Sequence, residues 1–446
     1  MTTTLKIKDA PLLQTNTQTS IVIIGGGVAG LEAATVIARR TGRGKKHIAV
    51  TLVDRDPSHI WKPMLHKIAA GTTNTSQQQI AFLAQARVAG FTFQPGELRG
   101  LDRGTKTITL APVLASDGRE LVPGRQLNYD VLIIAIGSQA NDFGTPGVVE
   151  KCFMIDSRRQ ADAFNNELRI RLMQAMTQNT PLPIAIVGGG ATGVELAAEL
   201  ILFAETAVAY GARDLPSRIS VTLIESGPRL LAAFPENISL STRHKLETLG
   251  IKVMTDVRVS AADDTGFKLQ DGSHVPASLK VWAAGVKAPE VLQTLDDLEV
   301  SRSGQLIVKP SLQTTVDSDI YVIGDCSSLT PSGESRPLPP TAQVAHQQAQ
   351  HLIRHLIPAI EKNAAVPDFQ YQNFGSIVSL GEYDAFASLG QFGLFRGLSL
   401  RGRLAQLSHV MLYRSHQARL YGYWRGSLIW LMDSLDGALR SSIRLD

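Results

Sequence analysis

The stretch Ile184-Ala-Ile-Val-Gly-Gly-Gly-Ala-Thr-Gly-Val-Glu-Leu-Ala-Ala-Glu199 joins an apolar run, a glycine-rich turn and a helix-forming run. The apolar run predicts a buried strand, and the residues after the glycines predict a helix that opens at the turn. Gly188 permits the tight turn, Gly190 lets the backbone approach a pyrophosphate, and Gly193 lets helix and strand pack closely. The free N–H groups of the helix N-terminus favour an anion. The stretch therefore predicts a dinucleotide-binding turn.

A second copy of the pattern, Ile21-Val-Ile-Ile-Gly-Gly-Gly-Val-Ala-Gly-Leu-Glu-Ala-Ala34, lies near the start of the chain. Gly25, Gly27 and Gly30 take the same three places in it. One fingerprint alone is weak evidence, whereas two complete halves in the same order are hard to obtain by chance. The chain is therefore predicted to be an α/β protein with two Rossmann-like dinucleotide-binding domains.

Each copy leads to a further apolar run that ends in an acid, Asp54 in the first copy and Glu225 in the second. A carboxylate at this place can accept hydrogen bonds from a ribose hydroxyl. Neither run ends in an arginine, which a 2′-phosphate would favour, so both sites suit a free ribose. Each copy also has a later strand that closes on a glycine, Gly137 and Gly285.

The composition is that of a chain of several domains. Its 446 residues are enough for two or three domains. Cys152 and Cys326 are the only cysteines, and their separation excludes a Cys-x-x-Cys motif and indicates a reducing compartment. Residues 1–20 resemble neither a secretory signal nor a transit peptide and are expected to be a disordered lead. No apolar run approaches the roughly 20 residues that span a bilayer, so we expect no membrane crossing and no proton pumping.

We expect the chain to divide into two nucleotide domains and a tail. Residues 21–140 and 278–357 are assigned to the first domain, residues 141–277 to the second, and residues 358–446 to the C-terminal region. The glycine-to-acid spacing is longer in the second copy, and we assign the extra residues to a helical extension over 201–212.

A β-rich excursion is predicted in each domain, over residues 91–110 and 251–270. The second excursion leads to Asp271-Gly272, a dipeptide that predicts a hairpin turn.

A third apolar run, from Thr315 to Asp325, ends in Gly324-Asp325. It predicts a strand that brings the Asp325 carboxylate to a place where it can accept a hydrogen bond from a polyol chain. After Pro339-Pro340 a helix is predicted from Thr341, with proline near the first helical position, where its missing N–H costs nothing. This helix N-terminus therefore lies close in sequence to the Asp325 carboxylate.

Five segments carry a resemblance to one family. They are Trp61-Lys-Pro-Met-Leu-His66, Gly188-Gly-Gly-Ala-Thr-Gly-Val-Glu195, Val281-Trp-Ala-Ala-Gly-Val-Lys-Ala-Pro289, Ile323-Gly-Asp-Cys326 and Ala342-Gln-Val-Ala-His-Gln347. They resemble those of the type II NADH dehydrogenases, single-subunit NADH:quinone oxidoreductases among the flavoproteins with two dinucleotide-binding domains. The resemblance extends over nearly the whole chain.

The resemblance implies the arrangement of glutathione reductase without its redox dithiol, with non-covalent FAD in the first domain and the substrate NADH in the second. It implies a hydride transfer from NADH to the flavin, followed by transfer of two electrons to ubiquinone or menaquinone. No metal is expected. The resemblance implies FAD at Gly25, Gly27, Gly30, Asp54, Gly324 and Asp325, and NADH at Gly188, Gly190, Gly193 and Glu225. Further expected cofactor contacts are Lys62, Gly137, Ala342, Glu195 and Gly285.

Four side chains have a functional and a plain interpretation. Gln343 and Gln347, one helical turn apart, would donate to a quinone carbonyl or would merely line a solvated helix face. Glu195 would lie near the nicotinamide and the flavin, tuning hydride transfer or passing a proton, or would be an acid favoured by the macrodipole of a first helical turn. Lys62 would reach the flavin ring or be an ordinary exposed lysine.

Residues 403–446 predict two amphipathic helices. Tyr421, Tyr423, Trp424 and Trp430 gather near arginines, which is typical of a helix lying in the lipid interface. We therefore expect a peripheral protein on the cytoplasmic face of a bacterial inner membrane, in preference to a mitochondrial one. The alternative is an oligomer interface, such as that of a homodimer, or a core-facing helix pair. The predicted apolar faces are Leu404, Leu407, Met411 and Ala418 in the first helix and Leu428, Met432, Leu435, Leu439 and Ile443 in the second; the opposite faces are Arg403, Gln406, Arg414 and Gln417, and Asp433, Asp436, Arg440 and Arg444.

Two other functions are open to this sequence. A sulfide:quinone oxidoreductase would use Cys152 and Cys326, but the intact second fingerprint argues for NADH. An NADH-sensing flavoprotein could bind nucleic acid through the basic tail of a chain with net charge +4. The aromatic and leucine content of the tail favours lipid, and we expect no nucleic-acid partner.

Overall fold

The computed structural model describes residues 18–42, 47–73, 79–115, 117–381, 383–389 and 399–439. The predicted disordered lead therefore lies mostly outside the described residues. Its last two residues belong to the first strand, Thr19–Ile24, because Thr19 and Ser20 pair with Ile48 and Ala49 of the neighbouring strand.

The first domain is built on a five-stranded parallel sheet that contains the first glycine fingerprint. Ile21 to Ile24 are buried without a break, as expected for a parallel strand that is covered on both faces. The run that ends at Asp325 forms a strand, as the sequence predicts, and this strand is at one edge of the sheet. The strands, in spatial order, are Ile320–Val322, Val131–Ile134, Thr19–Ile24, Ile48–Asp54 and Thr92–Pro95.

The second domain repeats this plan with a four-stranded parallel sheet. Leu279–Trp282 pairs in parallel with Leu182–Val187, so the sheet closes beyond the predicted boundary at residue 277. The boundary is wrong because this strand is the counterpart of Val131–Ile134 and completes its own repeat. The strands, in spatial order, are Lys252–Met254, Ile219–Ile224, Leu182–Val187 and Leu279–Trp282.

The helices cover the faces of the two parallel sheets and form the end of the described chain. They are α1 (Val28–Thr41), α2 (Leu65–Ala70), α3 (Phe82–Ala89), α4 (Val148–Lys151), α5 (Arg158–Gln178), α6 (Ala191–Ala209), α7 (Leu215–Arg218), α8 (Glu236–Thr248), α9 (Ala342–Lys362), α10 (Arg403–Tyr421) and α11 (Tyr423–Leu439). Short 3₁₀ turns occupy Lys62–Met64, Glu290–Thr294 and Gly324–Cys326.

One predicted helix boundary and one predicted domain boundary need correction. The extension predicted over 201–212 is the second half of α6, which runs without a break from the glycine turn and ends at Ala209. Helix α9 passes the predicted domain end at residue 357 and continues to Lys362. Its N-cap is Thr341, whose side chain accepts a hydrogen bond from the N–H of Val344, so Pro340 precedes the cap instead of filling the first helical position.

Each β-rich excursion is confirmed as a three-stranded antiparallel sheet, although the first strand of each predicted range joins a parallel sheet instead. The hairpin turn at Asp271-Gly272 is also confirmed, with Gly272 in the left-handed region at φ +86°. The two excursion sheets contain Arg125–Asn128, Thr107–Leu110 and Leu98–Asp102, and Val259–Ala262, Gly266–Leu269 and His274–Pro276. Paired short strands are Ser58–Ile60 with Gln79–Ala81, Val113–Leu114 with Glu120–Val122, Gln139–Ala140 with Val286–Lys287, and Leu306–Ile307 with Ser327–Ser328.

The C-terminal region consists of an antiparallel sheet and two helices. The sheet strands are Gly375–Leu380, Asp384–Leu389 and Ser399–Arg401. Helix α10 follows the last strand and packs on α1 and on this sheet, and α11 packs on α10. Among the described residues, none of the helices combines the length and the apolarity that a bilayer span requires.

Candidate functional site

A cleft of about 2620 Å³ is lined by both glycine turns. Most of the sequence-predicted site residues meet in it. They are Gly25, Gly27, Asp54, Lys62, Gly137, Gly188, Gly190, Glu195, Glu225, Gly285, Gly324, Asp325, Ala342 and Gln343. Gly30, Gly193 and Gln347 are not among the lining residues.

The first glycine turn has the shape that a bound pyrophosphate needs. Gly25 has φ +100°, and a Cβ there would lie 2.3 Å from the carbonyl oxygen of Ala135. A Cβ at Gly27 would meet nothing within 4 Å, so the backbone of Gly27 is open towards the cleft. At Gly30 a Cβ would lie 1.8 Å from the carbonyl oxygen of Gly25, beneath the turn. Gly30 therefore serves the packing of helix on strand, and the first turn fits a dinucleotide cofactor.

The second turn repeats this geometry. Gly188 has φ +115°, and a Cβ at Gly190 would meet nothing within 4 Å. A Cβ at Gly193 would lie 2.0 Å from the carbonyl oxygen of Gly188. Since each turn opens at the N-terminus of a long helix, α1 or α6, both present backbone N–H groups and partial positive charge to an anion.

The two strand-end acids make equivalent contacts in the two domains. Oδ2 of Asp54 accepts a hydrogen bond of 2.5 Å from the N–H of Gly26, and Oε2 of Glu225 accepts one of 2.6 Å from the N–H of Gly189. Burial raises the pKa of Asp54 above its ordinary value, opposed by the hydrogen bonds from the N–H groups of Gly26 and Asp56. Each acid therefore fixes its glycine turn as well as facing the cleft.

Lys62 is held between the two domains. Its Nζ donates to the carbonyl oxygen of Ser138 at 2.9 Å and lies 2.7 Å from Oδ1 of Asp156. The Ser138 hydroxyl in turn donates to Oδ2 of Asp325 at 2.8 Å. The Lys62 side chain is 47 % exposed, and these two contacts fix it across the boundary between the domains. Sequence reasoning missed Ser138 and Asp156, although Ser138 directly follows the predicted Gly137.

Glu195 is buried in the wall of the cleft. Its Oε1 accepts a hydrogen bond of 3.0 Å from the N–H of Ser379, and its Oε2 lies 3.3 Å from Nδ1 of His66. Burial raises the pKa of Glu195 to about 8, against the opposing effects of the Ser379 N–H and the Lys67 charge. Glu195 is the fifth residue of α6, past the first turn, so the macrodipole interpretation loses its basis.

A second buried carboxylate, Glu199, lies one helical turn after Glu195 and was missed from the sequence. It is 1 % exposed, lies 3.7 Å from Nζ of Lys67 and accepts a hydrogen bond from the Thr72 hydroxyl. The spacing of four residues from Glu195 was the available signal, because such positions share one helix face.

The two glutamines of α9 make hydrogen bonds to the chain itself. Oε1 of Gln343 accepts from the Tyr371 hydroxyl at 2.5 Å, and its Nε2 donates to the carbonyl oxygen of Gly375 at 3.2 Å. Gln347 makes two hydrogen bonds to the backbone of Gln372, at 2.7 and 2.9 Å. The amides of both residues fasten the segment 371–375 to α9, and the two hydrogen bonds of Gln347 are exposed to solvent. Only Gln343 also lines the cleft.

Helix α10 contributes to the cleft, which sequence reasoning did not foresee. Ser408, Met411, Leu412, Ser415 and Arg419 line it alongside the first glycine turn. No local pattern could have given this, since these residues are almost 400 positions from Gly25 in the sequence.

The predicted faces of the two C-terminal helices are partly correct. Part of the predicted apolar faces is exposed and contacts no other part of the described chain closely enough to be buried. These exposed residues are Leu407, Met411, Leu428, Met432 and Leu435. Gln417, assigned to the polar face, is buried because its amide hydrogen-bonds to the Tyr413 hydroxyl and to Arg414. The side chains of Arg403, Leu404, Asp436 and Leu439, and residues 440–446 with Arg440, Ile443 and Arg444, lie outside the described residues.

Neither cysteine is suited to sulfur chemistry. Burial raises the pKa of both Cys152 and Cys326 to about 12, so both thiols are protonated at neutral pH. Cys326 is fully buried, and its Sγ lies 3.3 Å from the carbonyl oxygen of Ile323.

A duplicated dinucleotide fold with one shared cleft defines a class of flavin- and pyridine-nucleotide-dependent oxidoreductases. The sequence profile of the family described as "Pyridine nucleotide-disulphide oxidoreductase" matches residues 19–349. A type II NADH:quinone oxidoreductase of Haemophilus influenzae is 40% identical over 446 residues, covering 96% of this chain and 99% of the relative. The chain therefore belongs to the type II NADH:quinone oxidoreductases of this family.

Two further comparisons agree with this assignment. A type II NADH:quinone oxidoreductase of Staphylococcus saprophyticus is 26% identical, covering 86% of this chain and 92% of the relative. The solved structure of NDH2 from Plasmodium falciparum in complex with NADH superposes with a TM-score of 0.80 at 21% identity, covering 96% of this chain and all of that one. At that identity the structural likeness concerns the fold.

Proposed function

We propose that this chain oxidises NADH and reduces a membrane quinone, ubiquinone or menaquinone, through non-covalently bound FAD. The observation that carries the proposal is that two equivalent glycine turns open into a single cleft. A donor and a carrier bound by these turns share that cleft, as direct hydride transfer requires. Membership of the type II NADH:quinone oxidoreductases supports this reaction.

We assign FAD to the first turn. Gly27 leaves the backbone open to the pyrophosphate, Asp54 supplies a carboxylate for the adenosine ribose, and Asp325 stands at the far side for the ribityl chain. When bound, the flavin supplies the hydride acceptor and the electron carrier. The N-terminus of α9, capped by Thr341, lines the cleft and offers partial positive charge to an anionic ring edge.

We assign NADH to the second turn, and the sheet order supports one direction of binding. Glu225 ends one strand beside the fingerprint strand, and Gly285 follows the strand on its other side. With the pyrophosphate at Gly188–Gly190, the adenosine ribose then lies towards Glu225 and the nicotinamide towards Gly285. A carboxylate at the ribose favours NADH over its 2′-phosphorylated analogue.

Glu195 is proposed as the proton donor. Reduction of a quinone by NADH consumes one proton from the surroundings, in addition to the hydride. With a pKa of about 8, Glu195 holds a proton at neutral pH and lines the cleft. A buried acid with a pKa near the working pH can both give and regain a proton. His66, 3.3 Å away, is placed to relay it.

The quinone is proposed to enter between α9 and α10. This part of the cleft is lined by Gln343 and by the apolar side chains Phe374, Ile377, Met411 and Leu412. Apolar walls with one amide suit a quinone ring, whose carbonyl oxygens accept hydrogen bonds. The polar contacts of the Gln343 amide to residues 371–375 would have to open for it to donate to a carbonyl.

Attachment to a membrane is proposed through α10 and α11. Trp424 is 88 % exposed and Met432 is 67 % exposed. Leu428, Leu431 and Leu435 are also exposed. Large apolar and aromatic side chains on the outer face of two helices are typical of a segment lying in the lipid interface. The opening for the quinone on α10 is then next to the lipid. The cytoplasmic face of a bacterial inner membrane is the proposed location.

An anaerobic titration tests the proposed reaction. The yellow protein should lose its flavin absorbance on addition of NADH and regain it on addition of a short-chain quinone. Loss of the absorbance with sulfide and not with NADH would identify a sulfide oxidoreductase instead. A protein that NADH does not bleach would overturn the proposal.

A further inference from the structure

A chain of hydrogen bonds links the first glycine turn to the C-terminal helix α10. Nδ1 of His59 lies 2.9 Å from the carbonyl oxygen of Gly26, in the middle of the turn. Nε2 of His59 lies 3.1 Å from Nε2 of His416, on α10. Both imidazoles are buried, and the centroid of the His416 ring lies 4.4 Å from that of Trp61, with the two rings tilted by 39°.

The protons in this chain can be assigned from its ends. A carbonyl oxygen only accepts, so Nδ1 of His59 carries the proton that it donates to Gly26. Burial lowers the pKa of His59 to about 4 and that of His416 well below its ordinary value, so both rings are neutral. Nε2 of His59 is then an acceptor, and Nε2 of His416 must donate to it. Each hydrogen bond is therefore donated in the same direction: His416 on α10 donates to His59, and His59 donates to the glycine turn.

Other contacts fasten the same end of α10 to the flavin domain. Nε of Arg419 lies 3.2 Å from Oε1 of Glu32, a fully buried acid on α1 that is also paired with His346 at 2.7 Å. The carbonyl oxygen of Leu420 accepts hydrogen bonds from Arg39 at 2.6 Å and from Gln85 at 2.8 Å. These partners lie on α1, α3 and α9, which surround the first sheet. The C-terminal half of α10 is thus bound to the domain that carries the first turn.

We propose that α10 is a structural part of the flavin site, with His416 positioning the Gly26 turn through His59 and with Arg419 docking the helix on α1. This inference rests on the proposed placement of FAD at the first turn. Retention of the flavin then requires docked α10, and the flavin in turn keeps α10 docked, because a coupling between two binding events is reciprocal. His416 is a positioning residue, since it acts on the turn through His59.

Variants of α10 test the first half of the inference. The rate of flavin release on dilution, followed by the fluorescence of free flavin, should rise about tenfold or more in His416→Ala and in Arg419→Ala, since each loses a buried polar contact. His416→Gln, whose amide can donate to His59, should recover part of the loss. Arg414→Ala is the matched control, because the polar partners of Arg414, Asp433 and Gln417, lie on α11 and on α10 itself and not on the flavin domain. It should release flavin within about twofold of the parent rate.

Hydrogen exchange of the unaltered chain tests the reciprocal half. Removal of the flavin should speed exchange of the amides of α10, while α5 of the other domain exchanges as before. This measurement decides the question even if His416→Ala does not fold. Parent-like flavin release in both His416→Ala and Arg419→Ala, or unchanged exchange in α10, would overturn the inference. A parent protein that holds no flavin would instead overturn the proposed function.

Discussion

Glu195 on α6 and His66 on α2 are both buried, and Oε2 of the carboxylate lies 3.3 Å from Nδ1 of the imidazole. The pair joins the second fingerprint helix to the segment that follows Lys62. Two groups that can hold a proton therefore meet in the wall of the cleft where the two domains face each other.

The pH dependence of turnover should report this acid. Because burial raises the pKa of Glu195 to about 8, its protonated form predominates at neutral pH and is lost above that value. We expect kcat with quinone to fall as the pH rises through about 8 and expect Glu195→Gln to be about a hundredfold slower without this inflection. The matched control is Glu205→Gln, at the exposed end of the same helix. A Glu195→Gln enzyme with the parent profile would contradict the assignment.

The same pKa shift should appear in stability. The folded chain keeps a proton on Glu195 that the unfolded chain loses above its ordinary pKa of 4.5. The contribution to stability is therefore complete below pH 4.5 and is lost as the pH rises to about 8. In chemical unfolding over this range, Glu195→Gln should lose less stability with rising pH than the parent does. Parallel curves for the two proteins would mean that Glu195 ionises normally.

Glu225 should select the dinucleotide. Its two oxygens accept hydrogen bonds from the N–H groups of Gly189 and Gly227, each at 2.6 Å, which holds a negative charge at the expected ribose position. A 2′-phosphate would meet that charge, so Glu225→Gln should raise kcat/KM for NADPH relative to NADH about tenfold. Glu225→Ala, which also releases both N–H groups, should in addition raise the KM for NADH. An unchanged ratio in both variants would remove Glu225 from the specificity site.

How much of the structure the sequence could predict depends on how far apart along the chain the contacting residues lie. The glycine turns and their acids were placed correctly because a strand, a turn and a helix within about 40 residues determine them. Leu279–Trp282 is assigned correctly to the second copy, but the domain boundary predicted at residue 277 separates it from its partner strand Leu182–Val187, because the two strands lie almost 100 residues apart in the chain. The burial of Gln417 and the entry of Arg419 into the cleft depend on how α10 docks, and helical periodicity does not specify which face meets the flavin domain.

The two glutamines of α9 should separate in a kinetic test. Gln343 lines the cleft and Gln347 does not, although both bond to the segment 371–375. Gln343→Ala should raise the KM for quinone several-fold with the KM for NADH unchanged. Gln347→Ala should alter thermal stability more than either KM. Equal rises in quinone KM for the two variants would argue that the shared segment, and not Gln343 itself, contacts the quinone.

The exposed face of α11 should bind lipid. Leu428 and Met432 are 60 % and 67 % exposed, and burying each in the interface is worth roughly 1.5–3 kcal/mol. The double variant Leu428→Ser and Met432→Ser should lower partitioning onto phospholipid vesicles about a hundredfold or more, measured by co-sedimentation. Met173→Ser on α5, also exposed, is the control and should partition like the parent. If the double variant still binds vesicles and only loses self-association, this face is an oligomer interface.

A single added methyl group should affect a different property at each of two glycines of the second turn: NADH binding at Gly190 and stability at Gly193. A Cβ at Gly190 meets nothing within 4 Å, whereas one at Gly193 would lie 2.0 Å from the backbone oxygen of Gly188. Gly190→Ala should unfold at the parent temperature and keep its flavin, but its KM for NADH should rise about tenfold, because the methyl group occupies the approach of the pyrophosphate. Gly193→Ala should lose roughly 3 kcal/mol of stability or more, since backbone atoms cannot move aside as a side chain can. Thermal unfolding and NADH titration of the two proteins separate binding from packing. If Gly190→Ala kept the parent KM, the pyrophosphate would have to lie elsewhere in the cleft.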